Sequence, residues 1–247
     1  MAQINFQGPM PLPGSFHIVN DDRKFPEHTE QDHHETYAIM QKAAQNHDQF
    51  FVHGRVKANE KFQWTFIPYE KCESWVTRIW QQLKVLMALT FGGSAETLQV
   101  NQDANFTEPT GGTCKSDDAF CRTDVITKQL VFEGTDVNLL FNYAPIGNSH
   151  FLIVPKQHRS TFHALTKAEY TESAQIAQKI ANVYADQTIY MNHKSGKDAG
   201  QSVPHWHMHV IVLDNVSDEL TGRLHVLWKM LMPVFPLSKE ALAKRIA

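Results

Sequence analysis

The segment His205-Trp206-His207-Met208-His209-Val210-Ile211 alternates strictly between imidazole and apolar side chains. A period of two belongs to a β-strand, whose successive side chains leave on opposite faces. Trp206, Met208 and Val210 then face a core. His205, His207 and His209 share the other face, about 6–7 Å apart at a rise of roughly 3.3 Å per residue. Three titratable rings on one face of an apolar strand are costly without partners. Solvent, a metal ion or a phosphate could each satisfy them.

Composition narrows the classes. The formal net charge of −3 carries no global basic bias for extended nucleic acid. Hydrophobic residues at 42% and charged residues at 20% are ordinary for a globular chain. No run of eighteen apolar residues occurs, so no membrane span is expected. The N-terminus lacks a signal-peptide pattern. The three cysteines, Cys72, Cys114 and Cys121, form no dense framework, and a cytoplasmic location is the simplest expectation. A Cys114–Cys121 disulfide stays open.

The pattern along the chain divides it. Residues up to about 30, rich in Pro, Gly and Asp, predict an extended arm. Residues near His34–Phe50 have helical character, Lys61–Pro68 alternates like a strand, and Tyr69–Leu89 predicts an amphipathic helix with Trp75, Val76, Ile79, Trp80, Leu83, Leu86 and Met87 on one buried stripe. Gly92–Asp118 is a polar trough and the candidate boundary. Beyond it, Gln129–Phe132, Val137–Phe141 and His150–Val154 predict strands. Thr166 and Glu169 form a capping box before a helix through Tyr184. Ile189–Asn192 predicts a short strand, residues 193–201 a loop, and Pro204–Leu213 the last strand. Leu224–Leu231 predicts a helical tail. No internal repeat is evident.

The run Gly200-Gln201-Ser202-Val203-Pro204-His205-Trp206-His207-Met208-His209-Val210-Ile211 resembles the histidine-triad (HIT) signature, and its Gly-Gln-Ser-Val is similar to the Hint branch of that family. Ser149–His158 resembles the family strand that ends in Pro-Lys-x-His, and Asn142 stands eight residues before His150, the family spacing for a ribose-contacting Asn or Asp. The resemblance covers about residues 118–215.

The resemblance implies an α+β fold: a HIT-like antiparallel sheet of about five strands with a packed helix, preceded here by an N-terminal α/β extension. The domains expected are 1–115, an extension of unknown role; 116–215, the HIT domain; and 216–247, a helical tail. It further implies that His207 attacks the α-phosphorus of a nucleotide to form a nucleotidyl-histidine, with His209, His205 and His150 as the other catalytic residues. Asn142, Gln201, Ser202, Gly200, Leu140 and Tyr143 are the candidate substrate-binding residues, Leu140 and Tyr143 as walls for the base. Near neutral pH an imidazole with an ordinary pKa of about 6.5 is a competent nucleophile. The implied substrate is a purine nucleotide, as a phosphoramidate or a dinucleoside polyphosphate. A nucleotide-binding sensor and a scavenger decapping-type pyrophosphatase are the rival readings. No cofactor is expected. No metal is expected either, since of the family's Cys-x-x-Cys zinc pair only Cys121 is in place. Relatives dimerise through the helix and a sheet edge, so a homodimer is possible unless the first half covers that surface.

Overall fold

A computed structural model describes residues 2–7, 15–20, 23–57, 60–72, 95–99, 117–146 and 149–213, with scattered positions between 74 and 83, at 112–113 and beyond 237. The strands are β1 (Ala2–Gln7), β2 (Phe16–Asn20), β3 (Phe50–Val56), β4 (Gln63–Pro68), β5 (Ala95–Gln99), β6 (Leu130–Glu133), β7 (Val137–Phe141), β8 (Ser149–Pro155), β9 (Thr188–Ser195) and β10 (Met208–Leu213). The helices labelled here are α1 (Glu30–Ala44), α2 (Thr123–Gln129) and α3 (Lys167–Val183).

All ten strands join one sheet in the order β5-β1-β2-β4-β3-β9-β10-β8-β7-β6. Every neighbouring pair is antiparallel. The α+β class expected from sequence holds, but the five strands of the second half continue directly into five more. The first half is no α/β extension; it is antiparallel like the second.

The order β1-β2-β4-β3 repeats β7-β8-β10-β9, and in both cases a helix follows the second strand. The entrances to the two helices match in detail. A 3₁₀ turn begins at Phe25 and at Phe162, four residues before the caps Thr29 and Thr166. Each threonine accepts from the amide three residues on, and Asp32 or Glu169 answers back to the cap amide, satisfying two otherwise orphan donors. An arginine holds each acid in turn, Arg23 on Asp32 and Arg159 on Glu169. The repeat is one of topology and capping, so sequence comparison alone does not reveal it.

One sheet face is covered by α1 and α3. Val52, Trp64, Phe66, Met191, Met208, Val210 and Ile153 pack there against Tyr37, Met40, Ile176, Ala177 and Ile180 in one core. Phe66 stacks on both Phe16 and Phe50, at 4.9 and 4.7 Å between centroids. Burying each such ring contributes roughly 1.5–3 kcal/mol. His193 also lies on this side, fully enclosed and stacked 5.0 Å from Phe162. Burial drives its pKa down to about 3, so it is a neutral core ring. The opposite face carries the polar residues of interest.

Several expectations change. The predicted N-terminal arm is partly strand: Phe16 and Ile18 point into the core and anchor β2 in the sheet. β5 lies within the predicted trough, paired with β1. β9 runs on to Ser195 because Lys194 and Ser195 pair with Phe51 and Phe50 of β3. The last strand starts at Met208 rather than Pro204. Of the predicted helix at Tyr69–Leu89, helical backbone is described at positions from Val76 to Leu83, where Val76, Ile79 and Trp80 are exposed, contrary to a buried stripe. Trp75, Leu86, Met87, Cys114 and the predicted tail at Leu224–Leu231 lie outside the described residues. β9 and α3, the edge and helix through which relatives were expected to pair, are taken by β3 and α1 of the same chain. Any homodimer uses another surface.

Candidate active site

His207 is 7% exposed and immediately precedes β10. Its Nδ1 lies 2.8 Å from the carbonyl oxygen of His205. A carbonyl only accepts, so Nδ1 carries the proton and Nε2 keeps the lone pair. Burial pulls the pKa of His207 down to about 4, against the pull of the His205 carbonyl, with the charges of His205 and Lys194 adding to the fall. The ring is therefore neutral at physiological pH, with the lone pair of Nε2 free. Phe120 packs edge-on to it at 5.2 Å, and the His209 ring sits 4.8 Å away.

A second tautomer follows from backbone geometry. The amide of Ile146 donates to Nδ1 of His150 at 3.1 Å, so His150 holds its proton on Nε2. That proton is donated to Nδ1 of His209, 2.9 Å away. His209 must then carry its own proton on Nε2, which is left as a donor for a ligand. Burial holds the pKa of His150 at about 3 and that of His209 well below the ordinary value, so both rings are neutral. Asn142 stands beside His150, its Nδ2 at 3.2 Å from Nδ1 and 3.3 Å from Nε2, while its Oδ1 accepts from the Ala144 amide. This side-chain turn engages both ends of the amide within the protein.

His205 leaves the group. It is fully buried, and its Nε2 donates to the Pro155 carbonyl at 3.1 Å. The ring that bonds His150 is His209, not His205. With Nε2 protonated, the neutral ring turns a lone pair on Nδ1 toward Asp118 Oδ2, only 2.7 Å away. His158 Nδ1 is also 2.7 Å from that oxygen, and Cys121 Sγ is 3.3 Å from it and 3.9 Å from both imidazole nitrogens. The four donor atoms lie within 4.8 Å of one another. Acceptors converging on one point fit a cation: a carboxylate, a thiolate and two imidazoles make a tetrahedral zinc set. Burial alone would raise the pKa of the Asp118 carboxyl, but the hydrogen bond it accepts from the Phe120 amide works against that, and the pKa lies below the ordinary value. Asp118 stands where the expected pair would have its first cysteine, at an Asp-x-x-Cys spacing that a search for cysteines alone does not find.

The loop before His207 is braced rather than open. Gly196 and Gly200 both have positive φ, at 90° and 88°. Gln201 spans the loop, accepting from the Gly196 amide at 2.9 Å and donating to the Ser160 carbonyl at 2.7 Å. Asp198 exchanges bonds with Gln49, which donates to its carboxylate at 3.0 Å and accepts from its amide at 2.6 Å. Gln49 belongs to the first half of the chain. Ser202 is exposed. Leu140 is fully enclosed with Phe120, Leu152 and Val154, so it presents no surface to a base, whereas Tyr143 is 52% exposed.

Two polar residues on this face, His53 and Lys194, escaped the sequence reading. His53 of β3 pairs in register with Asn192 of β9, which pairs with His209 of β10. His53 Nδ1 and Asn192 Nδ2 are buried without a hydrogen-bond partner. Lys194 follows two residues along β9 on the same face. Alternation would have placed it there had β9 been drawn to its full length.

The family model described as HIT domain matches residues 123–216. The chain is 33% identical over 92 residues to a bis(5'-adenosyl)-triphosphatase of Dictyostelium discoideum, taking in 35% of this chain and 62% of that one. It therefore spans less than two thirds of that relative. A likeness to a solved uridylyltransferase mutant has a TM-score of 0.51 at 13% identity, over 88% of this chain and 78% of that one, and extends the shared fold to the first half. The adenosine 5'-monophosphoramidase HNT1 of Saccharomyces cerevisiae is 31% identical over 136 residues, 51% of this chain and 84% of the yeast protein. With that much of a relative matched, and a family model that spans His150, His207 and His209, the chain belongs to the histidine-triad family.

Proposed function

We propose that the chain is a nucleotidyl hydrolase or transferase acting at the α-phosphate of a purine nucleoside phosphoramidate or dinucleoside polyphosphate. The observation that carries this is the bond from His207 Nδ1 to the His205 carbonyl, which frees Nε2 as a nucleophile. Nε2 donates its electron pair to the α-phosphorus, forming a P–N bond as the bond to the leaving group breaks and that group departs with the electrons. Water or another acceptor then displaces His207 and releases the nucleotide. Phosphoryl chemistry depends mostly on position and on neutralising charge at the non-bridging oxygens. His209, its Nε2–H directed by His150, is placed to donate there. Relatives that hydrolyse bis(5'-adenosyl) triphosphate and adenosine monophosphoramidate support the reading.

Asp118, Cys121, His158 and His205 would hold a zinc ion in four-coordinate form. Such an ion would cross-link the turn before α2 to the segment just after β8 and to the backbone that supports His207, and would contribute folding energy. No step of the reaction passes through it.

His207→Asn should lower turnover of an adenylated substrate by at least about 10³-fold while AMP still binds. Turnover that survives the substitution removes the assignment. A labelled nucleotide retained on denatured native protein, and absent from the variant, supports the covalent step.

A further inference from the structure

One cation on this face has no part in the scheme above. Lys194 stands opposite Phe51 of β3, and its ammonium lies 5.9 Å over that ring. The Met208–His193 pairing, continued by one residue, sets Lys194 against His207. Its Nζ would be 3.2 Å from a Cβ placed on Gly200, so it rests against the backbone of the loop that precedes the nucleophile. Its charge also contributes to the lowered pKa of both His207 and His209.

Several cations of the fold have carboxylate partners, among them Arg23 with Asp32, Arg159 with Glu169 and Lys156 with Glu133. Among the described residues no carboxylate faces Lys194. Lys194 is part-buried, and an ammonium partly withdrawn from water without an anion is unfavourable; burial lowers its pKa. A group kept in that condition beside a phosphoryl-transfer nucleophile is suited to an anion that arrives with the substrate.

The position says which anion. The neutral N–H of His209, supported by His150 and Asn142, lies on one side of His207. Lys194 lies on another, against Gly200 and the approach to Ser202. We propose that Lys194 binds a second phosphoryl group, the one joined to the attacked phosphorus through the bridging oxygen, and so selects nucleoside 5′-di- and polyphosphate compounds over phosphoramidates. The proposal rests on the reading that the α-phosphate sits at His207. When the P–O bridge breaks, the departing phosphate carries off the electron pair as negative charge, and the ammonium balances that charge where it develops. A phosphoramidate offers no anion at this point.

Calorimetric titration of AMP and of ADP into the full-length chain, at one fixed ionic strength, tests this without needing turnover. Native protein should bind ADP at least about tenfold more tightly than AMP, the worth of one charge-assisted hydrogen bond. In Lys194→Met the ADP-to-AMP affinity ratio should fall toward one, and Lys194→Arg, which keeps the charge, should retain part of it. A ratio near one in native protein, or a native ratio in folded Lys194→Met, overturns the proposal. If Lys194→Met does not fold, a ratio in Lys194→Arg identical to native overturns it, because the bond length and fork geometry have changed. These results are separable from the nucleophile: turnover that survives His207→Asn removes that reading and leaves the ADP preference to stand or fall alone. Diadenosine triphosphate and ADP-glucose both carry the second phosphoryl group, and comparing their turnover tells a nucleotide from a sugar phosphate beyond it. Native turnover of an adenosine phosphoramidate that exceeds both counts against the preference.

Discussion

At the scale of the residue, the site works by fixing protons on neutral rings. The Ile146 amide sets His150, His150 sets His209, and the His205 carbonyl sets His207. Each step depends on a group that can only donate or only accept, so the tautomers are determined by backbone geometry. His150 is a positioning residue in this scheme. His150→Phe should lower kcat about tenfold to a hundredfold, the usual cost of removing a group that orients a functional histidine. KM should move far less, and His150→Asn should restore part of the rate through its amide. Equal changes in kcat and KM, with no rescue, would mark His150 as a packing residue only. Asp118 offers a second residue-scale test. Metal analysis of the purified chain should find about one zinc per molecule, and Asp118→Ala should reduce that occupancy. Chelation should lower Tm without requiring any change in the nucleotide contacts.

At the scale of the element, the loop from Gly196 to Gln201 is where the two halves of the chain meet in the site. Gly196 turns so closely over Gln49 that a Cβ there would fall 2.5 Å from Gln49 Cγ. Gln49 in turn grips Asp198 from both ends of its amide, and the Cys72 amide adds a second bond to the Asp198 carboxylate at 3.1 Å. Gln49→Ala removes two hydrogen bonds and should cost roughly 1–3 kcal/mol. Amide exchange across residues 196–201 should quicken, and KM for a nucleotide substrate should rise severalfold. Exchange at native rates would mean that the loop is held by Gln201 alone. The capping threonines belong to this scale too. Their signal was plain at Thr166 and equally present at Thr29, because a hydroxyl and an acid three residues apart satisfy the same orphan amides wherever they occur.

At the scale of the whole molecule, the ten-stranded sheet lets one half of the chain complete the other. β3 pairs with β9 over seven residues, from Phe50–Ser195 to Val56–Ile189, and closes an edge that would otherwise expose unpaired amides. The sheet also buries many neutral histidines. Burial holds His17, His28 and His53 at about 4, and His150 and His193 at about 3. In the unfolded chain each titrates near 6.5. Above that pH both states are neutral and stability is unaffected. As pH falls below about 6.5 the unfolded chain takes up protons that the folded chain refuses, so stability declines until the folded-state pKa values are reached. The midpoint of urea unfolding should therefore change little from pH 7.5 to about pH 6.5 and fall from there to pH 5. An unchanged midpoint over that range would contradict the burial of these rings.

By itself the sequence determined the local and the periodic. Alternation placed His207 and His209 near a sheet face, a capping pattern placed α3, and Pro-Lys-x-His with the Gly-Gln-Ser-Val run carried the family, because each of these is written within a few residues. What only the tertiary structure decided depends on residues distant along the chain. It turned His205 away toward Asp118, enclosed Leu140, carried β9 on to Lys194 by pairing it with β3, and brought Gln49 to the loop at Asp198. The physical reason is that strand pairing and burial are satisfied between segments that can lie far apart along the chain, up to the 149 residues between Gln49 and Asp198, and such partners leave no spacing for a linear pattern to record.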